Sequence, residues 1–209
     1  MQAAIEFFLR GKWAMWPLLF CAIVGFAYII ERFITFARLR VDPEDFAEEL
    51  IGIFKKDGAS TALEYCHHYP SPAARVFGPA IEKYKEMDKK AKDKQILEEV
   101  MTRYATRELA FLDRGMLILA SLANIAPMLG FLGTVSGMIN AFDAIALAGT
   151  VEATLVAAGI SEALITTATG LSIAIPISGA HAFFSQKVNG YTRSMEEGAS
   201  ALIDALLEA

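Results

Sequence analysis

The chain has 209 residues, 55% of them hydrophobic and 21% charged, with a formal net charge of −5. A soluble domain of this size is less apolar, so a water-soluble globule and a disordered chain are both excluded. The apolar residues concentrate in three stretches without Asp, Glu, Lys or Arg: Trp13–Ile30 (18 residues), Gly115–Phe142 (28) and Ala163–Gln186 (24). About 20 helical residues cross a hydrocarbon core of roughly 30 Å, so each stretch is predicted to span a bilayer. The 139 residues left outside argue against a compact single-core enzyme. An isoelectric point near 5.3, with bases and acids interspersed, gives no footprint for nucleic acid.

Residues 1–12 read as an interfacial helix, with Ile5, Phe7, Phe8 and Leu9 on its apolar side and Trp13 and Trp16 as an aromatic belt. This segment is short, and it is expected to remain uncleaved, because the apolar run 13–30 ends in Glu31-Arg32 and not at a small-residue site. The segment 31–114 holds 15 of the 19 Lys and Arg residues. Near the span ends stand Arg32, Arg38, Arg40, Arg103, Arg107 and Arg114, with Lys187 and Arg193 after the third span. The other side offers Arg10 and Lys12, and the loop 143–162 has three acids and no base. Positive charges stay on the cytoplasmic side. The expected topology is therefore an outside N-terminus, a cytoplasmic helical region 31–114, a second span 115–142, a periplasmic loop 143–162, a third span 163–186 and a cytoplasmic C-terminal helix 187–209.

Within 31–114, Asp42-Pro43-Glu44-Asp45 predicts an N-cap with Pro at the first helical position, and a helix to about Lys56 that Gly58 ends. A second helix is expected from Ser60 to before Pro70-Ser71-Pro72, and a third from Ala73 towards Met87. Leu97, Val100, Tyr104 and Phe111 recur near helical spacing up to the second span, as do Val188, Tyr191, Met195, Leu202 and Leu206 beyond the third. Exposed apolar stripes need partners, so these extensions are expected to pack on each other or on neighbouring subunits. The fold class is thus all-α: three transmembrane helices, the second and third extended into the cytoplasm. Pro17, Pro127 and Pro176 fall within spans and predict kinks.

No Walker loop, nucleophile elbow or zinc spacing is present, so neither enzymatic activity nor a metal site or cofactor is expected. His67-His68 diverge on a helix, Lys89, Lys90, Lys92 and Lys94 form a solvated face, and Cys21 and Cys66 fall in different environments as unpaired thiols. The spans, by contrast, carry small and hydroxylated residues at helical spacing. Gly130, Thr134, Gly137 and Ala141 share one side of the second, where Gly133 and Gly137 form a GxxxG pair; Ala163, Thr167, Gly170, Ala174 and His181 share an arc of the third. Such faces serve close helix packing or line a passage, and composition leaves both open. Glu162 and Asp143 stand at span margins, as pathway groups or as headgroup-level helix caps. A chain that moved protons alone would carry titratable groups deeper, so if ions pass, the central charge comes from elsewhere.

Leu129-Gly-Phe-Leu-Gly-Thr-Val-Ser-Gly-Met138, Gly159-Ile-Ser-Glu-Ala-Leu-Ile-Thr-Thr-Ala-Thr-Gly-Leu171 and Ala174-Ile-Pro176 together resemble the two signature segments of the MotA/TolQ/ExbB proton-channel family, most closely its ExbB and TolQ branch. The likeness is strong over Pro127–Pro176 and extends by span plan across the chain. It implies a stator-like subunit of the bacterial inner membrane, driven by the proton motive force. Five copies would surround a dimer of an ExbD- or TolR-like single-span partner whose intramembrane Asp carries the ion. A TonB-like or TolA-like protein would receive the force, for TonB-dependent outer-membrane transport or a related envelope process. The residues matching the family's pathway are Thr134, Thr167 and Glu162; Gly130, Gly133, Gly137, Ala163, Gly170 and Ala174 would pack the helices or line the pore. The ion would be H⁺, with Na⁺ the alternative because Thr166 and Thr169 add hydroxyls. The competing reading is a membrane scaffold that recruits partners through its cytoplasmic helices.

Overall fold

The computed structural model describes residues 2–39, 41–87 and 93–208, without the side chains of residues 2–5 and Arg38. Arg40, Lys89, Lys90 and Lys92, named above among the basic residues, lie outside the described residues. Among the described residues six α-helices follow in order: α1 (Gln2–Arg10), α2 (Met15–Arg38), α3 (Pro43–His68), α4 (Pro72–Glu86), α5 (Lys94–Ala148) and α6 (Ala153–Glu208). A single 3-10 turn, Lys12–Ala14, joins α1 to α2. Among the described residues there is no strand. Helices α2, α5 and α6 are each long and apolar enough to cross a membrane.

The chain divides into two compact units. The first comprises Met1–Phe33 and Gly115–Phe183. Its interior is built from Leu18, Cys21, Leu119, Ala126, Ile173 and Ile177, while Phe20, Ile23, Leu117, Met128, Phe131 and Ile175 face outward. Large apolar side chains turned outward over such a length are what a lipid-facing surface requires. Gly25 lets α2 close onto α6, since a Cβ there would stand 2.3 Å from the Ile177 Cδ1. Pro17 sits in the first turn of α2, where the backbone N–H has no intrahelical partner to lose. It therefore opens a helix and does not kink one. Both α5 and α6 continue as helices through Pro127 and Pro176.

The connection between the second and third spans is far more helical than the sequence suggests. Only residues 149–152 leave helix, because the flanking Ala-rich segments favour it and lone acids such as Asp143 do not interrupt it. Gly149 stops α5 in the left-handed conformation, φ +67°, with its N–H bonded to the Ile145 carbonyl at 3.0 Å.

The second unit comprises Ile34–Arg114 and Phe184–Ala209. The Asp42 carboxylate accepts from the Glu44 N–H at 3.0 Å with Pro43 at the first helical position, as the sequence predicts, and the Ser71 hydroxyl caps α4 by accepting from the Ala74 N–H at 3.0 Å. Gly58 breaks the regular path of α3 at φ +84°. One apolar core joins Phe46, Leu50, Phe77 and Ile81 to Leu97 and Met101 of α5 and Met195, Leu202 and Leu206 of α6. The two apolar stripes thus find each other within this unit, although Tyr104 and Phe111 remain exposed. Ion pairs between Arg75 and Glu108 (2.6 Å) and between Lys94 and Asp204 (3.1 Å) link its elements.

Candidate functional site

Two runs of small residues bring α5 and α6 into near backbone contact in the first unit. A Cβ on Gly170 would lie 2.7 Å from the Ala126 carbonyl oxygen, and one on Gly130 2.9 Å from that of Thr166. Further along, a Cβ on Gly137 would stand 3.1 Å from the Ala163 nitrogen, and one on Gly159 2.4 Å from the Ala141 Cβ. Gly133 faces Thr166, whose side chain occupies the space a Cβ would need. Gly130, Gly133, Gly137, Ala163 and Gly170 therefore all lie in this crossing, and Ala174 is buried one turn beyond Gly170. With no side chains between them, the backbones come close enough for direct polar contact.

The hydroxyls divide by where they donate. Thr134, Thr166 and Thr169 bond back to their own helix, on the carbonyls of Phe131 (2.6 Å), Ala163 (2.9 Å) and Ile165 (2.8 Å). This is the usual resort of a hydroxyl in an apolar helix. Thr167 instead crosses to α5 and donates to the Gly130 carbonyl at 3.2 Å. Thr134 lies one turn along α5 from Gly130 and is partly exposed, while Thr166 is wholly buried.

Glu162 belongs to the third turn of α6, not to its start, so it cannot cap that helix. It is only 6% exposed, and its carboxylate meets the Lys12 ammonium at 2.7 Å. An open cavity of about 430 Å³ adjoins this pair, lined in part by Leu9, Arg10, Asn140 and Ser161. Asp143 remains exposed near the end of α5. From the cavity, Glu162, Thr166 and Thr167 follow one another along α6 at intervals of one turn and one residue, while Thr134 lies on α5 one turn from Gly130. The arrangement offers a carboxylate and a series of oxygen acceptors to a proton or small cation. Among the described residues no group of three His, Cys, Asp or Glu could hold a metal ion.

The family model described as MotA/TolQ/ExbB proton channel family matches residues 69–197. The chain belongs to that family. An ExbB-like biopolymer transport protein of Synechocystis is 32% identical over 174 residues, 82% of this chain and 66% of the relative. The biopolymer transport protein ExbB of Xanthomonas campestris is 41% identical over 95 residues, 46% of this chain and 37% of the relative. The Tol-Pal system protein TolQ of Haemophilus influenzae is 46% identical over 85 residues, 40% of this chain and 36% of the relative. The chain thus covers less than two thirds of these relatives' lengths. Membership of the ExbB and TolQ branch, as the motifs imply, and the three apolar helices make this MotA/TolQ/ExbB protein a multi-pass membrane protein.

Three features of this family member's first unit escape a reading of the sequence. Lys12 stands there only as an outside charge, yet it is the partner of Glu162. Trp13 reads as a belt residue, yet its indole N–H donates to the Ser136 hydroxyl of α5 at 3.0 Å. Arg32 reads as a charge at a span end, yet it is 3% exposed, paired with Glu31 at 2.6 Å and covered by Gly115. Gly115, at the start of the second span, is the one available hint, since it makes room for the guanidinium.

Proposed function

We propose that this chain is the channel-forming subunit of an ExbB–ExbD- or TolQ–TolR-type motor, which couples ion flow across the bacterial inner membrane to work in the envelope. The observation that carries the reading is the polar line at the glycine crossing: Glu162 buried beside a cavity, and Thr167 donating to the Gly130 carbonyl with Thr134 one turn away. Helix packing alone needs the small residues but not a buried carboxylate, which is costly away from water. The uncharged cores of the three spans leave the central charge to a single-span partner of the ExbD or TolR kind, whose carboxylate would face the threonines. In the full assembly several copies, five by the family resemblance, would enclose a dimer of that partner. The N-terminus would lie in the periplasm and the C-terminus in the cytoplasm, following the positive charge.

The chain's own residues would then act as follows. Glu162 offers the first anionic acceptor below the cavity, and Thr167 and Thr134 pass or orient a proton, or ligate Na⁺, next to the partner's carboxylate. The partner's response to neutralisation of that carboxylate would drive a TonB-like or TolA-like protein. No enzymatic step and no resident cofactor is needed. The test is Thr134→Val and Thr167→Val in the complex purified with its partner. Assembly is expected to be unchanged and ion-dependent output abolished. Wild-type output in both variants would leave the scaffold reading in its place.

A further inference from the structure

The stretch 11–13 is bound to both helices of the crossing at once. Lys12 reaches Glu162 on α6 at 2.7 Å, and Trp13 reaches Ser136 on α5 at 3.0 Å. Gly11 is buried, and a Cβ there would stand 3.4 Å from the Thr166 Cγ2. To make these contacts Lys12 adopts φ +50°, a left-handed conformation that no other non-glycine residue adopts among the described residues. Side chains with a Cβ avoid that region, so the surrounding contacts must hold it there. The two members of the ion pair are unequal: the Glu162 side chain is 7% exposed and that of Lys12 57%. The carboxylate is fixed within the protein while the ammonium stands at the edge of the cavity on a flexible four-carbon stem.

We propose that Lys12 is the positioning residue of Glu162: a tethered cation that occupies the carboxylate between ion passages and steps aside when an ion arrives. This rests on the reading of Glu162 as a pathway residue. A buried carboxylate without a counter-charge is strongly unfavourable, and Lys12 provides that charge from the chain itself. When a proton binds, the Glu162 carboxylate takes it and becomes neutral, while the Lys12 ammonium keeps its three protons and turns to the water of the cavity. When the proton moves on, the ammonium returns. The N-terminal strap of α1 and the turn 12–14 is thereby tied to the occupancy of the pathway.

The experiment uses proteoliposomes of the complex with its single-span partner and reads ion flux and thermal stability. Lys12→Met is expected to lower flux at least about tenfold, because the buried Glu162 carboxylate then loses its counter-charge. Lys12→Arg is expected to recover most of that flux, because it returns a cation without restoring the same shape. On thermal stability, Lys12→Met is expected to be destabilising and the double variant Lys12→Met/Glu162→Gln to regain at least half of the loss, since neither position then carries charge. Wild-type flux in Lys12→Met alongside impaired flux in Glu162→Gln would overturn the tether alone. Wild-type flux in Glu162→Gln would overturn the pathway reading beneath it. If Lys12→Met fails to assemble, a double variant that assembles supports the tether, and one that fails equally overturns it.

Discussion

A hydroxyl that donates across a helix crossing contributes little to stability, on the order of 0.6 kcal/mol in membrane helices. Thr167→Val is isosteric, so it should leave the crossing of α5 and α6 assembled, with a thermal midpoint near wild type, while removing the donor to Gly130. Loss of output with retained assembly is the signature of a pathway group. In the second unit, burial pushes the Cys66 thiol from 9.0 up to about 11. Burial, followed by a hydrogen bond to Glu49, pushes the Tyr65 hydroxyl up to about 12, and burial does the same to Tyr191, whose hydroxyl has no hydrogen-bond partner among the described residues. Each raised group favours its neutral form when folded, so its contribution is complete below the unfolded value and is lost as pH rises through the folded one. Thermal stability should therefore hold through neutral pH and fall from about pH 9, through Cys66 first, then from about pH 10 through the tyrosines. Cys66→Ala should remove the earlier part of that slope, and an unchanged slope would contradict the assignment. Spacing places Thr134 and Thr167 on small-residue faces and Glu162 at a span margin, and the family resemblance is what points to them as pathway groups. The Lys12 partner of Glu162 is not, because an ion pair between distant parts of the chain leaves no periodicity to read.

Two glycines test the helix contacts from opposite sides. Gly170→Ala would place a Cβ 2.7 Å from the Ala126 carbonyl oxygen, and backbone on both sides leaves no flexible atom to yield. It should destabilise the first unit by about 1–3 kcal/mol, read as a lower thermal midpoint in detergent. Gly52 lies exposed inside α3, where a Cβ would meet nothing within 4 Å, so Gly52→Ala should stabilise the second unit by roughly 0.5–1 kcal/mol. The reverse order of these effects would contradict the crossing as described. Local chemistry makes several element limits readable: Asp42-Pro43 starts α3, Gly58 interrupts it and Ser71-Pro72 starts α4. The ends of α5 and α6 are less readable, since helices do not stop where charges begin. Asp143 and Glu162 mark polarity, while Gly149 marks the actual turn. Pro17 misleads for the related reason that a proline's effect depends on its distance from the helix start.

At the scale of the molecule, three apolar helices and a packed polar unit are both visible in the charge distribution, because a bilayer and water select opposite surfaces. The stripes 97–111 and 188–206 announce a partner without naming it, and the core of the second unit joins Leu97 and Val100 of the first to most of the second. The proposed assembly would supply what a single chain lacks. Its spans offer hydroxyls and a marginal carboxylate but no central charge, so conduction should require a second polypeptide. The decisive measurement is ion uptake into proteoliposomes containing this chain alone, the chain with the proposed single-span partner, and the chain with that partner's intramembrane Asp replaced by Asn. Uptake is expected only in the second preparation. Brisk, cation-selective uptake by the chain alone would contradict a conduit shared between the two proteins.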